Sequence, residues 1–349
     1  MSGLEECLAR LECPEETERA YAAEDLGYLN GPEGVPALLD RLLRETSPAV
    51  RDAIFQALIR IDGDAPIEGC VGLLGSEDPQ IRNQAVEVLR RKGSRPVPFL
   101  GAAMRDGSKD IRKLVLDVLA GVQSGDTGPI YAAALSDQDP NVVITAVENL
   151  GRIRATEFRD RVEELLQAGS HPMLIAACVE ALVGIGRESS LAAVRRCFPD
   201  LATVPDFLLG SCLKTMAAFG GTGEFSEVAG LLPQRGPYLR PAILSALVAM
   251  LPRCRRAEPG EALLGDLRTV VEDGGQPLCR YQAARILGSW AAREEVGALL
   301  VACLSSPERM VRLGAAESLR TAGRPEVEPI LAARALEESD EEVLQALGC

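Results

Sequence analysis

One histidine, one tryptophan and 4% aromatic residues in 349 positions leave this sequence short of the groups that most enzymes use. General bases, metal ligands and base-stacking platforms are drawn largely from imidazole and large aromatic rings. No apolar run approaches the roughly 18 residues of a membrane helix. Residues 1–12 (MSGLEECLARLE) are acidic where an export signal is basic and then greasy. A cytoplasmic chain without membrane insertion is the expectation. No two of the ten cysteines form a C-x-x-C pair, so reduced thiols acting as small hydrophobes are expected rather than a disulfide frame or a metal site. Phosphate-cradling glycine motifs are missing too; Gly220-Gly221-Thr222-Gly223 comes nearest, and it follows a helical stretch rather than a strand. His171 precedes Pro172 at a helix start, the place of a capping or solvent-facing side chain, and carboxylate pairs such as Glu163 and Glu164 have nothing to set them apart from a solvated face. Neither a cofactor nor a catalytic residue is expected.

Positive charge is also in short supply. The 37 Lys and Arg stand against 51 Asp and Glu, for a net −14, which disfavours a nucleic-acid partner. The excess sits at the ends: residues 1–45 hold 11 acidic and 4 basic side chains, and residues 326–349 hold 7 and 1. In a stacked array the terminal units need polar outer surfaces, which accounts for this pattern; a pair of acidic arms that dock a basic partner is the competing reading.

What the sequence has in abundance is self-similarity. The segments SPAVRDAIFQALIRI (47–61), DPQIRNQAVEVLRRKG (78–93), SKDIRKLVLDVLAGV (108–122), DPNVVITAVENLGRI (139–153) and HPMLIAACVEALVGIG (171–186) superimpose without gaps. Looser copies follow to residue 323 and a divergent one precedes them at 15–31. Equivalent anchors are Glu16, Pro48, Pro79, Lys109, Pro140, Pro172, Asp206, Pro237, Pro277 and Arg309, with a truncated start at Glu341. Each reads as a helix beginning, with Asp or Ser as N-cap and Pro in the first turn, where its missing N–H is not needed. After Pro79, the apolar Ile81, Ala85, Val86 and Leu89 recur at the spacing of one buried helical face, and Gly93 ends the run. A shorter apolar helix precedes each anchor. The pattern predicts about eleven helix pairs and no strands.

These residues resemble the HEAT repeat, including the bacterial HEAT-like variety associated with phycobilin lyase subunits. The resemblance rests on Leu135, Asp137, Asp139, Pro140 and Val142 leading into Ala146, Leu150 and Gly151. It also rests on an arginine three residues after the anchor: Arg19, Arg51, Arg82, Arg112, Arg240, Arg280 and Arg312. Three consecutive units replace it with Val143, Ile175 and Leu209. The resemblance implies an all-α, right-handed alpha-alpha superhelix over 1–349, a single solenoid with acidic terminal units 1–45 and 326–349. It also implies either a non-enzymatic scaffold that binds a partner protein, as a peptide segment or helix, on its concave face, or a lyase or maturation subunit. The recurring arginine is expected to stitch adjacent units through charge-assisted hydrogen bonds.

Positions four and eight after each anchor share one side of the second helix and are the expected groove. The eighth column runs from Glu24, Gln56, Glu87 and Asp117 to Glu148 and Glu180, then turns basic at Lys214 and Arg285. The fourth column loses its polar character at the same place, with Ile144, Ala176, Gly210 and Tyr281. Partner-binding residues are therefore expected at Ile144, Glu148, Ala176, Glu180, Gly210, Lys214, Tyr281 and Arg285. A second candidate is an inserted loop at 252–260, which carries Arg253, Arg255 and Arg256 and accounts for the 40-residue gap between Pro237 and Pro277. Far-UV circular dichroism should show helix without a strand component; substantial strand signal would overturn the repeat reading.

Overall fold

A computed structural model of the chain describes residues 3–122, 127–169, 171–254, 259–272 and 275–348, the side chain of Asp106 excepted. Every described regular element is helical, and the residues divide into two compact units, 1–158 and 159–349. The first unit contains five helix pairs: α1 (Gly3–Arg10) with α2 (Glu16–Leu29), α3 (Val35–Arg44) with α4 (Pro48–Arg60), α5 (Ala65–Leu73) with α6 (Pro79–Arg91), α7 (Val97–Asp106) with α8 (Lys109–Ala120), and α9 (Gly128–Ala134) with α10 (Pro140–Arg152). The second contains six: α11 (Arg159–Ala168) with α12 (Pro172–Ile185), α13 (Glu188–Cys197) with α14 (Asp206–Phe219), α15 (Thr222–Gly230) with α16 (Arg240–Cys254), α17 (Glu261–Glu272) with α18 (Pro277–Leu287), α19 (Glu294–Cys303) with α20 (Arg309–Ala322), and α21 (Glu328–Ala335) with α22 (Glu341–Leu347).

Ten of the eleven anchors are first residues of a second helix. The local chemistry is as expected in the first unit: Ser47, Asp78, Ser108 and Asp139 each accept a backbone N–H of the first turn. Pro237 is the exception. It lies in a turn closed by Leu239 N–H to Gly236 O and Arg240 N–H to Pro237 O, and α16 starts three residues later, where Pro241 takes the first-turn place. The expected loop from Pro252 is also corrected. Pro252 falls in the last turn of α16, where it forfeits one helical hydrogen bond, and the helix continues to Cys254, which is buried. Arg255 and Arg256 lie outside the described residues.

No helix pair can bury its apolar stripe alone, so each borrows a face from its neighbours. In the first unit α2, α4, α6, α8 and α10 pack in series as one layer and α3, α5, α7 and α9 as another. In the second unit α12, α14, α16, α18, α20 and α22 form the continuous layer. The residues predicted for the inner face of α6, Ile81, Ala85, Val86 and Leu89, are all buried. Glycine also permits close approaches between second helices: a Cβ at Gly27 would lie 2.8 Å from Ala57 Cα, and one at Gly314 would lie 2.9 Å from Tyr281 O.

The recurring arginine joins successive pairs at Arg19, Arg51, Arg112 and Arg312, while at Arg82 and Arg280 it binds carbonyls of its own pair. Arg19 grips Glu45 through Nε and Nη2, at 2.8 and 3.0 Å, while its Nη1 donates to Cys13 O and Pro14 O. Arg112 holds Asp137 in the same way, at 2.6 and 2.7 Å, and Arg312 holds Glu338 at 2.8 and 3.0 Å. Arg51 reaches Asp78 and the carbonyl of Glu45, whereas Arg82 serves the carbonyls of Ser76 and Glu77, and Arg280 that of Val271. Where Leu209 replaces the arginine, Arg235 arrives from the following repeat and donates to Leu201 O, Ala202 O and Val204 O.

The gripped carboxylates are buried ions with every need met. The Glu45 side chain has no solvent exposure, and burial alone would raise its pKa. Hydrogen bonds from Arg19, the Ser47 amide and Arg41 overcome that cost and hold it at about 2. Arg312, with the amides of Asp340 and Ser339, likewise holds Glu338 at about 2 against the cost of burial. Both groups start from an ordinary value of 4.5, so each contributes stability that is complete above about pH 4.5 and disappears as pH falls towards 2. The contribution is on the order of 3 kcal/mol per group. Glu338→Gln should lower stability at pH 7 and flatten its decline between those two pH values in denaturant titrations. Arg112→Ala, which strands the nearly buried Asp137, should cost about 3 kcal/mol; unchanged denaturant midpoints would refute the stitching role.

Candidate functional site

Positions one, four and eight after each anchor follow the i, i+3, i+7 spacing of one helical face, and the solvent-facing side of each second-helix layer is built from them. In the first unit Asp52 and Gln56 on α4, Asn83 on α6, and Lys113 and Asp117 on α8 are exposed. A cleft of about 510 Å³ opens between α4 and α6, lined by Arg51, Asp52, Phe55, Asn83, Gln84 and Glu87. On α10 of this unit Glu148 is exposed and Ile144 half-buried.

The second unit carries the other predicted residues. Ala176 and Gly210 are half-buried on α12 and α14, and next to them Lys214 forms an ion pair with Glu180, which also accepts from Ser211 Oγ at 3.2 Å. Further along, Tyr281 and Arg285 on α18 meet Glu317 on α20. Tyr281 Oη donates to Glu317 at 2.9 Å, Arg285 pairs with the same carboxylate, and Arg285 also donates to Tyr281 Oη at 3.2 Å. Burial raises the Tyr281 pKa and the neighbouring Glu317 raises it further. Burial opposes the charge on Arg285, yet the bond to Glu317 leaves its pKa raised. The basic groups of this column are thus occupied within the protein. A second cleft, of about 380 Å³, lies beyond Arg285 among Leu251, Pro252, Gly288, Ser289 and Ser318.

Arg253, expected on a binding loop, has a different employment. It donates to Ala217 O and Gly220 O at the end of α14. The same device recurs: Lys92 binds Ile59 O and Ile61 O after α4, Arg152 binds Ala120 O after α8, and Arg324 binds Ala291 O after α18. These four helices end in carbonyls without helical donors, and a cation from the next repeat supplies them; at the end of α22 the donor is Arg320 of the preceding repeat, bound to Leu347 O. In the sequence Lys92, Arg152, Arg253 and Arg324 stand out only as basic residues at or beyond the end of the apolar run.

The sequence reading also passed over the column directly after the anchors. In the first unit it reads Thr17, Ala49, Gln80, Asp110 and Asn141, and in the second it ends on the half-buried Met310 and the acidic Glu342 after four large side chains, Met173, Phe207, Tyr238 and Leu278. Those four large side chains are 56%, 61%, 66% and 50% exposed. They lie beside Ala176, Gly210, Pro241 and Tyr281 and extend the predicted strip towards the N-terminal ends of α12, α14, α16 and α18.

The other candidate chemistry is absorbed by structure. His171 is exposed at the N-terminus of α12 without a side-chain capping bond. Glu163 accepts from Ser190 Oγ, and Glu224 accepts the Gly221 N–H in the glycine-rich turn before α15. Burial pushes the thiols of Cys70, Cys178 and Cys212 up to about 12, far from thiolate reactivity at neutral pH. Among the described residues no group of three His, Cys, Asp or Glu could hold a metal ion, and no helix is long and apolar enough to cross a membrane.

The family model for HEAT repeats matches residues 4–90, 97–183 and 266–348. The unmatched interval covers α13 to α16, where Arg235 replaces the usual stitching. A stretch of 71 residues, 20% of this chain and 26% of the relative, is 38% identical to the bilin biosynthesis protein PecE of Mastigocladus laminosus. Among solved structures, Kap95p in complex with RanGDP aligns over 99% of this chain with a TM-score of 0.65 and 13% identity, and importin beta over 98% with 0.61 and 12%. Kap121p bound to Pho4p aligns over 99% with a TM-score of 0.52 and 13% identity. The chain spans about half the length of these structures, 56%, 56% and 45%, and about a quarter of the bilin protein. Removing the carbonyl cap by Arg253→Ser should destabilise the protein by about 1 kcal/mol, read as a lower denaturant midpoint; an unchanged midpoint would return Arg253 to the list of free surface arginines.

Proposed function

The chain belongs to the HEAT-repeat family, and from that premise we propose that it is a non-enzymatic scaffold whose second-helix face, in the 159–349 unit, binds a segment of a partner protein. The observation that carries this reading is a strip of small and apolar residues, Ala176, Gly210 and Tyr281, bordered by charges already neutralised in pairs, Glu180 with Lys214 and Arg285 with Glu317. Such a surface can be dehydrated without stranding an ion, as the centre of a protein interface must be. Kap95p and Kap121p, which share the fold, bind RanGDP and Pho4p. The net charge of −14 disfavours nucleic acid, and a cytoplasmic setting suits the nine described cysteines, all of them free. A maturation role like that named for the bilin biosynthesis protein is the second reading, favoured by the 71-residue stretch of 38% identity.

Capture from a lysate of the native host on the immobilised full chain is the test. Ala176→Asp combined with Lys214→Glu should remove the captured partner without lowering the melting temperature, while Arg255→Ser with Arg256→Ser should retain it. The opposite outcome would move binding to the 252–260 segment.

A further inference from the structure

Where a recurring arginine grips a buried carboxylate, the two stand at fixed places, three residues after one anchor and three before the next. Arg19 with Glu45, Arg112 with Asp137 and Arg312 with Glu338 obey this rule. Three consecutive steps of the array have lost both members together: the two places hold Val143 and Gly169, then Ile175 and Thr203, then Leu209 and Gln234. None of these combinations can form an ion pair.

Two of the three losses are made good. Between the α11–α12 and α13–α14 pairs, Ser190 Oγ donates to Glu163 at 2.6 Å, Thr215 Oγ1 donates to Val179 O at 3.3 Å, and Lys214 pairs with Glu180. Between the α13–α14 and α15–α16 pairs, Arg235 binds Asp206 at 2.6 Å in addition to the carbonyls before α14. Both replacements lie inside the second unit. At the remaining step the two places hold a buried valine and a glycine, and this is the step along which the chain passes from the first unit to the second. The folded chain divides into its compact units at the same place, after Phe158. A pattern of residue types and a property of the folded backbone thus agree on one position.

Each unit is tied along its own length. In the first, every step between pairs carries a side-chain bond: Arg19 to Glu45, Arg51 to Asp78, Arg90 to Asp117 O and Arg112 to Asp137. In the second, the later steps carry Gln282 to Ser245, Arg285 with Glu317 and Arg312 with Glu338. The stability of a stacked array is the sum of what each pair contributes alone and what neighbours contribute together, so an array unfolds in blocks where a neighbour contribution is weak. We propose that the chain comprises two cooperative units divided at 158/159, and that 159–349 unfolds and refolds without 1–158. A partner held by the second unit then stabilises that unit alone.

Equilibrium urea titration of the full chain, followed by two probes, is the test. Trp290, the one tryptophan, is 8% exposed within the second unit, so its fluorescence reports that unit, whereas far-UV circular dichroism reports the helices of both. Arg19→Ala and Arg112→Ala, near opposite ends of the first unit, should move the same part of the dichroism curve to lower urea and leave the Trp290 midpoint where it is in the wild type. Arg312→Ala should move the Trp290 midpoint and leave the first-unit part in place. If Arg112→Ala leaves the first unit unfolded in buffer, the wild-type Trp290 midpoint is still expected. A fall of the Trp290 midpoint in Arg112→Ala as large as the shift seen by dichroism would make the chain one cooperative unit and overturn the proposal. Shifts of different parts of the dichroism curve by Arg19→Ala and Arg112→Ala would mean unfolding repeat by repeat, which overturns it too.

Discussion

A guanidinium clamped on a buried carboxylate is the interaction on which this architecture depends. Hydrophobic burial brings the helix pairs together, but it is non-directional and would tolerate sliding of one pair over the next. The bidentate contacts of Arg19 with Glu45, Arg112 with Asp137 and Arg312 with Glu338 remove that freedom, because a planar fork accepts one geometry. Each carboxylate also receives backbone amides at the start of the next second helix, such as Ser47 N–H to Glu45 and Asp139 N–H to Asp137. A single ion pair therefore sets the register between repeats and shapes the turn that opens the following helix. Burial makes this expensive to leave incomplete, which is why the carbonyls before α14, lacking an arginine at Leu209, are served by Arg235 from elsewhere.

The paired-helix fold could be read from the sequence because its signals are local and repeated. Pro48, Pro79, Pro140, Pro172 and Pro277 each open a helix for the same steric reason, and eleven trials of one pattern outweigh any single ambiguity. The failures came where two local rules competed. Both Pro237 and Pro241 fit a first turn, and the spacing of the repeat favoured the wrong one. Pro252 reads as a helix breaker, but one lost hydrogen bond near a helix end is a small cost beside the burial of Cys254 and the two carbonyls bound by Arg253.

The candidate site was less legible because its residues take their meaning from neighbours in the next repeat. In sequence, Lys214 and Arg285 are positive charges following a run of acids. In space each faces a carboxylate some thirty residues away, Glu180 or Glu317, and presents a neutral pair. The exposed row of Met173, Phe207, Tyr238 and Leu278 was visible as a column of residue types, but apolar residues beside helix starts are ordinarily core, and only the solvent exposure separates the two cases.

The carbonyl caps have a temporal side. Lys92 closes the end of α4, Arg152 the end of α8, Arg253 the end of α14 and Arg324 the end of α18, and in every case the donor lies later in the chain than the helix it completes. Arg19, Arg112 and Arg312 wait in the same way for carboxylates further on. During synthesis each of these helix ends lacks its partner until the following repeat has been made, whereas the end of α22 finds Arg320 already present.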